Sequence, residues 1–163
     1  MVFDGQPYYG ALGRSPEIGH VLLDPEGPEA FGIRGCAEAF CSARSLGRIA
    51  AQRFPERWPT PPEPRHLQLL AARGDRDAME VIGLNARMTG RVCALLADLL
   101  HPDVIALGSL ARYLGDPWVE EVRAECGRLA LPDAAAHCGI VPARLGERLQ
   151  DLSALAAAVR ALP

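Results

Sequence analysis

An α/β domain is the expectation for this chain of 163 residues. Stretches with helical periodicity alternate with short apolar runs bounded by Pro or Gly, at Asp103-Val104-Ile105-Ala106-Leu107-Gly108 and at Cys138-Gly139-Ile140-Val141-Pro142. Hydrophobic residues make up 49% and charged residues 23%, the balance of a globular protein with a real core, and the length suits one domain. No internal repeat divides it.

At the N-terminus, Asp4-Gly5 is a type I′ hairpin signal with Tyr8-Tyr9 on its exit side, although only three residues precede the turn, so the entering strand is a stump. Residues 10–35 are rich in Gly and Pro, which makes them a structured loop region with one short strand candidate at His20-Val21-Leu22-Leu23. Helix formers begin at Cys36, and one helix is expected over 36–54, with Phe40, Ala43, Gly47 and Ala50 on one face and Glu38 in its first turn. Pro55 to Pro64 holds five prolines in ten residues, an extended connector assigned to 55–65 that can be neither helical nor part of a sheet.

The remainder, 66–163, reads as the α/β core. A short helix over 66–73 is followed by Asp75, an N-cap residue, and a long helix over about 76–100 with Val81, Met88, Val92, Leu95 and Leu99 on one stripe. That helix should stop at His101-Pro102, because the residue before proline is biased away from helix. A short buried strand at 103–108 leads to helices over Leu110–Leu114 and from Pro117, at position N1, to about Leu131. The strand Cys138–Pro142 and an Ala/Leu helix from about Glu147 to Leu162 complete the order.

Composition excludes several classes of function. The formal net charge is −3, and no basic cluster is interleaved with aromatics, so nucleic acid is not an expected partner. No apolar run approaches the roughly 20 residues needed to cross a bilayer, and MVFDGQPYYG lacks the basic-then-apolar plan of a secretory signal, so the chain reads as cytoplasmic with no membrane partner. Cys36, Cys41, Cys93, Cys126 and Cys138 are odd in number, scattered, and without a C-x-x-C pair, which argues against a disulfide scaffold or a four-cysteine zinc ribbon.

Three side chains could act together. Glu17 and His20 lie in the Gly-rich loop, where the backbone can approach a ligand closely, and both can hydrogen-bond vicinal hydroxyls. Taken singly, Glu17 reads better as solvated surface and His20 as a satisfied loop histidine, and Glu38 is explained by the favourable field at a helix start. His20, Cys36 and Cys41 invite a zinc reading, but a closed tetrahedral site needs four ligands and buried structural thiols fit better. Gly108-Ser109, at the end of a strand and before a helix, is where a ligand sits in an open α/β sheet, although such a turn favours small residues anyway.

The segment Gly10 to Leu46 resembles the signature of the ROK family of repressors, open reading frames and sugar kinases, which runs E-x-G-H and then C-x-C-G-x-x-G-C-x-E. Here the residues are Glu17-Ile18-Gly19-His20 and Glu29-Ala30-Phe31-Gly32-Ile33-Arg34-Gly35-Cys36-Ala37-Glu38. The likeness extends through His101–Gly108 and Ile140–Gly146, essentially the whole chain. It implies the C-terminal lobe of the sugar kinase/actin-like ATPase fold, related to ribonuclease H: a three-layer α/β lobe, 1–163, carrying a Gly-rich loop insertion. It further implies that Glu17, His20 and Glu38 contact the hydroxyls of a hexose or N-acetylhexosamine, and that Gly108 and Ser109 stand on the nucleotide side.

Departures from the pattern qualify what the resemblance implies. Two of the family's zinc-binding Cys positions are Glu29 and Phe31, leaving His20 and Cys36 of a degraded motif, so no zinc is expected and packing should hold the loop. The family's Asp-x-Gly phosphate loop and catalytic Asp have no counterpart before Met1, and its Gly-Gly pair is Gly108-Ser109, so catalytic residues are absent, ATP binding is weakened and the chain alone should be inactive. The expectation is a truncated ROK sugar kinase-like protein. Its rivals are a sugar-sensing or dimerisation module of a ROK regulator and a gene remnant. The implied partner is a homodimer mate or the N-terminal lobe.

Overall fold

The computed structural model describes residues 1–145 and 148–160. Its elements are β1 (Val2–Phe3), β2 (Gln6–Pro7), β3 (Glu29–Ala30), β4 (Ile33–Arg34), α1 (Ala37–Cys41), α2 (Ala43–Arg53), α3 (Pro64–Ala72), α4 (Arg76–Leu100), β5 (Val104–Leu107), α5 (Ser109–Leu114), α6 (Asp116–Leu129), α7 (Pro132–His137), β6 (Gly139–Pro142) and α8 (Leu149–Arg160). Gly146, Glu147 and the expected end of the last helix at Leu162 lie outside the described residues.

Helix α4 is the spine. Asp75 caps it, its Oδ1 accepting the Ala78 N–H at 3.0 Å, and His101 ends it in the left-handed region at φ 45°, ψ 53°. Both bounds agree with the expectation, but the packing face does not. The sequence stripe Val81, Met88, Val92, Leu95 and Leu99 captures two buried residues only; Leu99 is exposed, and Ala86, Gly90, Cys93, Ala94 and Ala97 are buried instead. Small residues won because α6 packs along that side. A Cβ at Gly90 would lie 2.8 Å from the Val122 carbonyl oxygen and 2.6 Å from Glu125 Cβ.

Two cores share this spine. In one, Cys93, Ala94 and Ala97 meet Leu107, Trp118, Val119, Val122, Cys126 and Ile140 from β5, α6 and β6. In the other, Ala78, Val81 and Met88 meet Phe40, Leu46, Ile49, Trp58 and Leu67. The proline-rich connector belongs to the second core. Trp58 is buried, Arg57 stacks 4.5 Å above its ring, and the same guanidinium pairs with Asp75 and Asp77 at the start of α4.

The expected single helix over 36–54 is broken. Ser42 is extended at φ −77°, ψ 160°, so α1 ends at Cys41 and α2 restarts under a Ser42 cap that accepts the Ser45 N–H. The break turns Ala43 to solvent, away from the face it was expected to share with the buried Phe40, Gly47 and Ala50, and lets Ser45 Oγ donate to the Phe40 carbonyl at 2.6 Å. Asn85, with no exposed surface, completes the junction. Its Nδ2 donates to the Phe40 carbonyl at 2.7 Å, and its Oδ1 accepts the Trp118 indole N–H at 2.8 Å.

All described sheets have two strands: hairpins β1–β2 and β3–β4, and the parallel pair β5–β6 in register from Val104↔Gly139 to Leu107↔Pro142. Helices α5, α6 and α7 form the crossover, an α/β connection. The expectation of a buried strand at 103–108 needs correction. Leu107 is buried and Ile105 half-buried, whereas Val104 and Ala106 face solvent, because helices cover only one side of the pair. The helix expected to reach Leu131 stops at Leu129: Leu131 precedes Pro132 and is extended, and α7 starts anew there.

Two stability measurements follow from these packing facts. Asn85→Ala should lower the unfolding free energy by roughly 2–4 kcal/mol in urea titration, from a lost hydrogen bond to Trp118 and a small void. Glu125 is buried and its carboxyl is held below the ordinary glutamate value, first by hydrogen bonds from Arg128 and secondarily by Arg91, against the opposing effect of burial. A lowered folded-state pKa contributes stability above the unfolded value of about 4.3 that disappears as pH falls through the folded value. Wild type should therefore exceed Arg128→Gln in stability at pH 7, and the gap should close in acid.

Candidate functional site

The loop between β2 and α1 is folded back on itself by its backbone. The expected strand at His20–Leu23 is instead a 3-10 turn over Ile18–His20 followed by a single bridge, Leu22 to Cys36. Leu23 N–H donates to the Gly35 carbonyl at 2.8 Å, Gly35 N–H to the Pro28 carbonyl at 2.6 Å, and Ala37 N–H to the Val21 carbonyl at 2.8 Å. Gly35 sits at φ +72°, where a Cβ would fall 1.6 Å from the Asp24 carbonyl oxygen, so no other residue fits unless the loop moves. Between these crossings lies β3–β4, joined by Phe31-Gly32, both at positive φ as a type I′ turn requires.

This folding brings the Glu17–His20 turn onto the start of α1. A Cβ at Gly19 would lie 3.4 Å from Glu38 Cβ and 3.5 Å from its Oε2, so the Glu38 carboxylate rests against the glycine of that turn. Glu38 is half-buried in the first turn of α1, as the sequence suggests, while Glu17 and His20 stand exposed at the two ends of the 3-10 turn. Two carboxylates that accept and an imidazole that can donate or accept suit a ligand rich in hydroxyl groups. Gly108 and Ser109 belong elsewhere. They follow β5 at its carboxyl end, and Gly108 is exposed with no atom within 4 Å of a Cβ position.

The donor set does not fit the zinc that the resemblance implies. Phe31 has no donor atom and its ring stacks on His20, centroids 5.8 Å apart and planes 15° apart. Cys36 is fully buried, its thiol turned to the Ala30 carbonyl at 3.7 Å. Among the described residues, no three His, Cys, Asp or Glu side chains gather as metal ligands. Cys41 lies at the other end of α1. Burial pushes its thiol up to about 11, with a Thr89 hydrogen bond acting the other way and the Glu38 charge adding to the rise.

Sequence reasoning missed Asn85, whose bond to the Phe40 carbonyl fixes the end of the helix that carries Glu38. A lone Asn at an inward position of an apolar helix was the available signal. It also missed the hairpin at Phe31-Gly32, because Phe is not a residue that announces positive φ. Two grooves on the helical side, one lined by Met79, Ile82 and Trp118 and the other by Leu46, Leu110 and Tyr113, take no residue from this loop.

Known proteins share this architecture. The sequence profile of the ROK family matches residues 1–159. A glucokinase of Halalkalibacterium halodurans is 29% identical over 158 residues, covering 90% of this chain and 48% of that protein. The DNA-binding transcriptional repressor Mlc of Escherichia coli is 27% identical over 147 residues, covering 86% and 36%. The crystal structure of a ROK hexokinase from Thermus thermophilus superposes with a TM-score of 0.75 at 31% identity, covering 88% of this chain and 48% of that one. The chain thus spans about half or less of the length of these relatives. No described helix is long and apolar enough to cross a membrane.

Gly35→Ala should open the loop without unfolding the core. Hydrogen exchange at the Leu23 and Ala37 amides is expected to accelerate at least tenfold, while amides of α4 keep their protection.

Proposed function

The chain belongs to the ROK family, and from that premise we propose that it is the equivalent of the C-terminal lobe of a sugar kinase with the actin-like ATPase fold, carrying a hexose-binding wall made of Glu17, His20 and Glu38. The contact of the Gly19 turn with the Glu38 carboxylate carries this reading, because it joins two separated parts of the motif in one place. In the bound state the carboxylates accept hydrogen bonds from sugar hydroxyls, and the His20 imidazole supplies the complementary donor or acceptor. Half-burial of Glu38 strengthens its bond by restricting competition from water. The ligand class is a hexose or an N-acetylhexosamine.

Phosphoryl transfer needs a phosphate cradle, a metal and a catalytic base placed in line. Gly108 and Ser109 stand at a strand end, and the acids placed at the sugar wall, Glu17 and Glu38, are the ones that would hold the sugar. We therefore propose binding without turnover for this chain taken alone. Similarity to Mlc supports a second reading, a sugar-sensing lobe of a regulator. The sugar wall would be common to both, and they differ in what else the whole protein carries.

Calorimetric titration with glucose, N-acetylmannosamine and N-acetylglucosamine tests the wall. One of them should bind saturably, and Glu38→Gln should weaken it about 10- to 100-fold, the value of one hydrogen bond to a charged group. Equal binding by both proteins removes Glu38 from the site. ADP release with the same sugar and ATP, above a Glu17→Ala control, would overturn the proposal of binding without turnover.

A further inference from the structure

We propose that Phe31 is a positioning residue for His20: its ring, stacked on the imidazole, organises the loop without a metal. The near-parallel rings, 15° between planes and 5.8 Å between centroids, form an offset stack, the arrangement aromatic faces favour. Two further observations mark this ring as placed for a purpose other than burial. Phe31 is 75% exposed, so the hydrophobic effect does not hold it there. Its backbone sits at φ +53°, a conformation that Asn or Gly takes at lower cost, in a two-residue turn whose other member is already Gly. An exposed phenylalanine in a strained turn position contributes little to the fold. What it touches is His20.

The stack supplies what a metal at this place would otherwise supply, a fixed orientation of the imidazole plane. The offset stack against Phe31 gives the imidazole plane a preferred orientation, while His20 stays exposed and open to a hydroxyl. Cys36 is committed elsewhere, turned into the small cluster with Ala30 and Ala39. The ring stack joins the hairpin tip to the Ile18–His20 turn on one side, and the Cys36 thiol ties the loop's return to the hairpin on the other. Only the ligand-binding consequence rests on the sugar-wall reading; the stack and its independence of metal stand on the geometry alone.

The experiment compares wild type with Phe31→Tyr, Phe31→Leu and Phe31→Asn, following the His20 ring protons by NMR, assigned with a His20→Gln control. In wild type these protons should be displaced by the ring current of Phe31. Tyr should preserve the displacement, and Leu and Asn should abolish it. Asn separates positioning from structure, since it suits the left-handed turn: its melting temperature should equal or exceed that of wild type while the His20 signals move to free-histidine positions. Dialysis against EDTA should leave the wild-type signals unchanged. Signals that are undisplaced in wild type, or that collapse on EDTA treatment and return with zinc, would overturn the proposal. If a hexose binds, Leu and Asn should weaken it several-fold and Tyr should restore it, and unchanged affinity in Leu and Asn would refute the positioning role. If no hexose binds any variant while the stack is present, the sugar wall fails and the metal-free stack stands.

Discussion

The side-chain amide of Asn85 has no exposed surface and lies midway along the long helix α4, between the two cores. Its orientation is dictated by its partners: the Phe40 carbonyl requires a donor and the Trp118 indole N–H requires an acceptor, so Nδ2 and Oδ1 cannot exchange. Burial raises what is at stake, because an amide left unpaired in that environment costs about 1–3 kcal/mol per group. The bond to Phe40 explains why α1 stops where it does. A helix continuing through Ser42 would commit the Phe40 carbonyl to its own ladder. The carbonyl instead accepts from Asn85 and from Ser45 Oγ, and Glu38 is carried on a one-turn helix whose far end is pinned to the centre of the protein.

Around that junction the small residues of α4 do the remaining work. Ala86, Gly90, Ala94 and Ala97 let α6 approach closely, and the same closeness draws Trp118 within reach of Asn85. The Arg57 guanidinium ties the proline-rich connector to the start of α4 through Asp75, which also caps the helix. The candidate site is therefore held at one remove: α4 fixes α1, and α1 packs against the turn that carries Glu17 and His20.

Elements announced by local chemistry were legible in the sequence. Asp75 and His101-Pro102 bracket α4 at its observed bounds, Asp4-Gly5 makes the first hairpin with both residues at positive φ, and Pro and Gly delimit β5 and β6. What stayed hidden was decided by tertiary contacts. The run from Cys36 to Arg53 is rich in helix formers, and nothing local foretells that a carbonyl in its middle will be claimed by an amide 45 positions away. The Phe31-Gly32 turn has the same geometry as Asp4-Gly5 but lacks the residue that advertises it. For the candidate site, Glu17, His20 and Glu38 were named by the resemblance of their motif to the ROK signature. Their meeting through Gly19 depended on backbone crossings at Gly35 that only the folded chain displays.

The cluster beneath the β3–β4 hairpin consists of Ala30, Cys36 and Ala39 with Ile33 at its edge, a meagre apolar area beside the Phe40, Leu46 and Ile49 core next to it. If a segment with so small an apolar cluster opens at a free energy below that of global unfolding, it has its own equilibrium between open and closed forms. A ligand that recognises only the closed loop then has its intrinsic affinity multiplied by the closed fraction. Any contact that raises that fraction tightens binding without touching the ligand, and a surface that docks on the hairpin would tune the site as effectively as a change among the residues that line it.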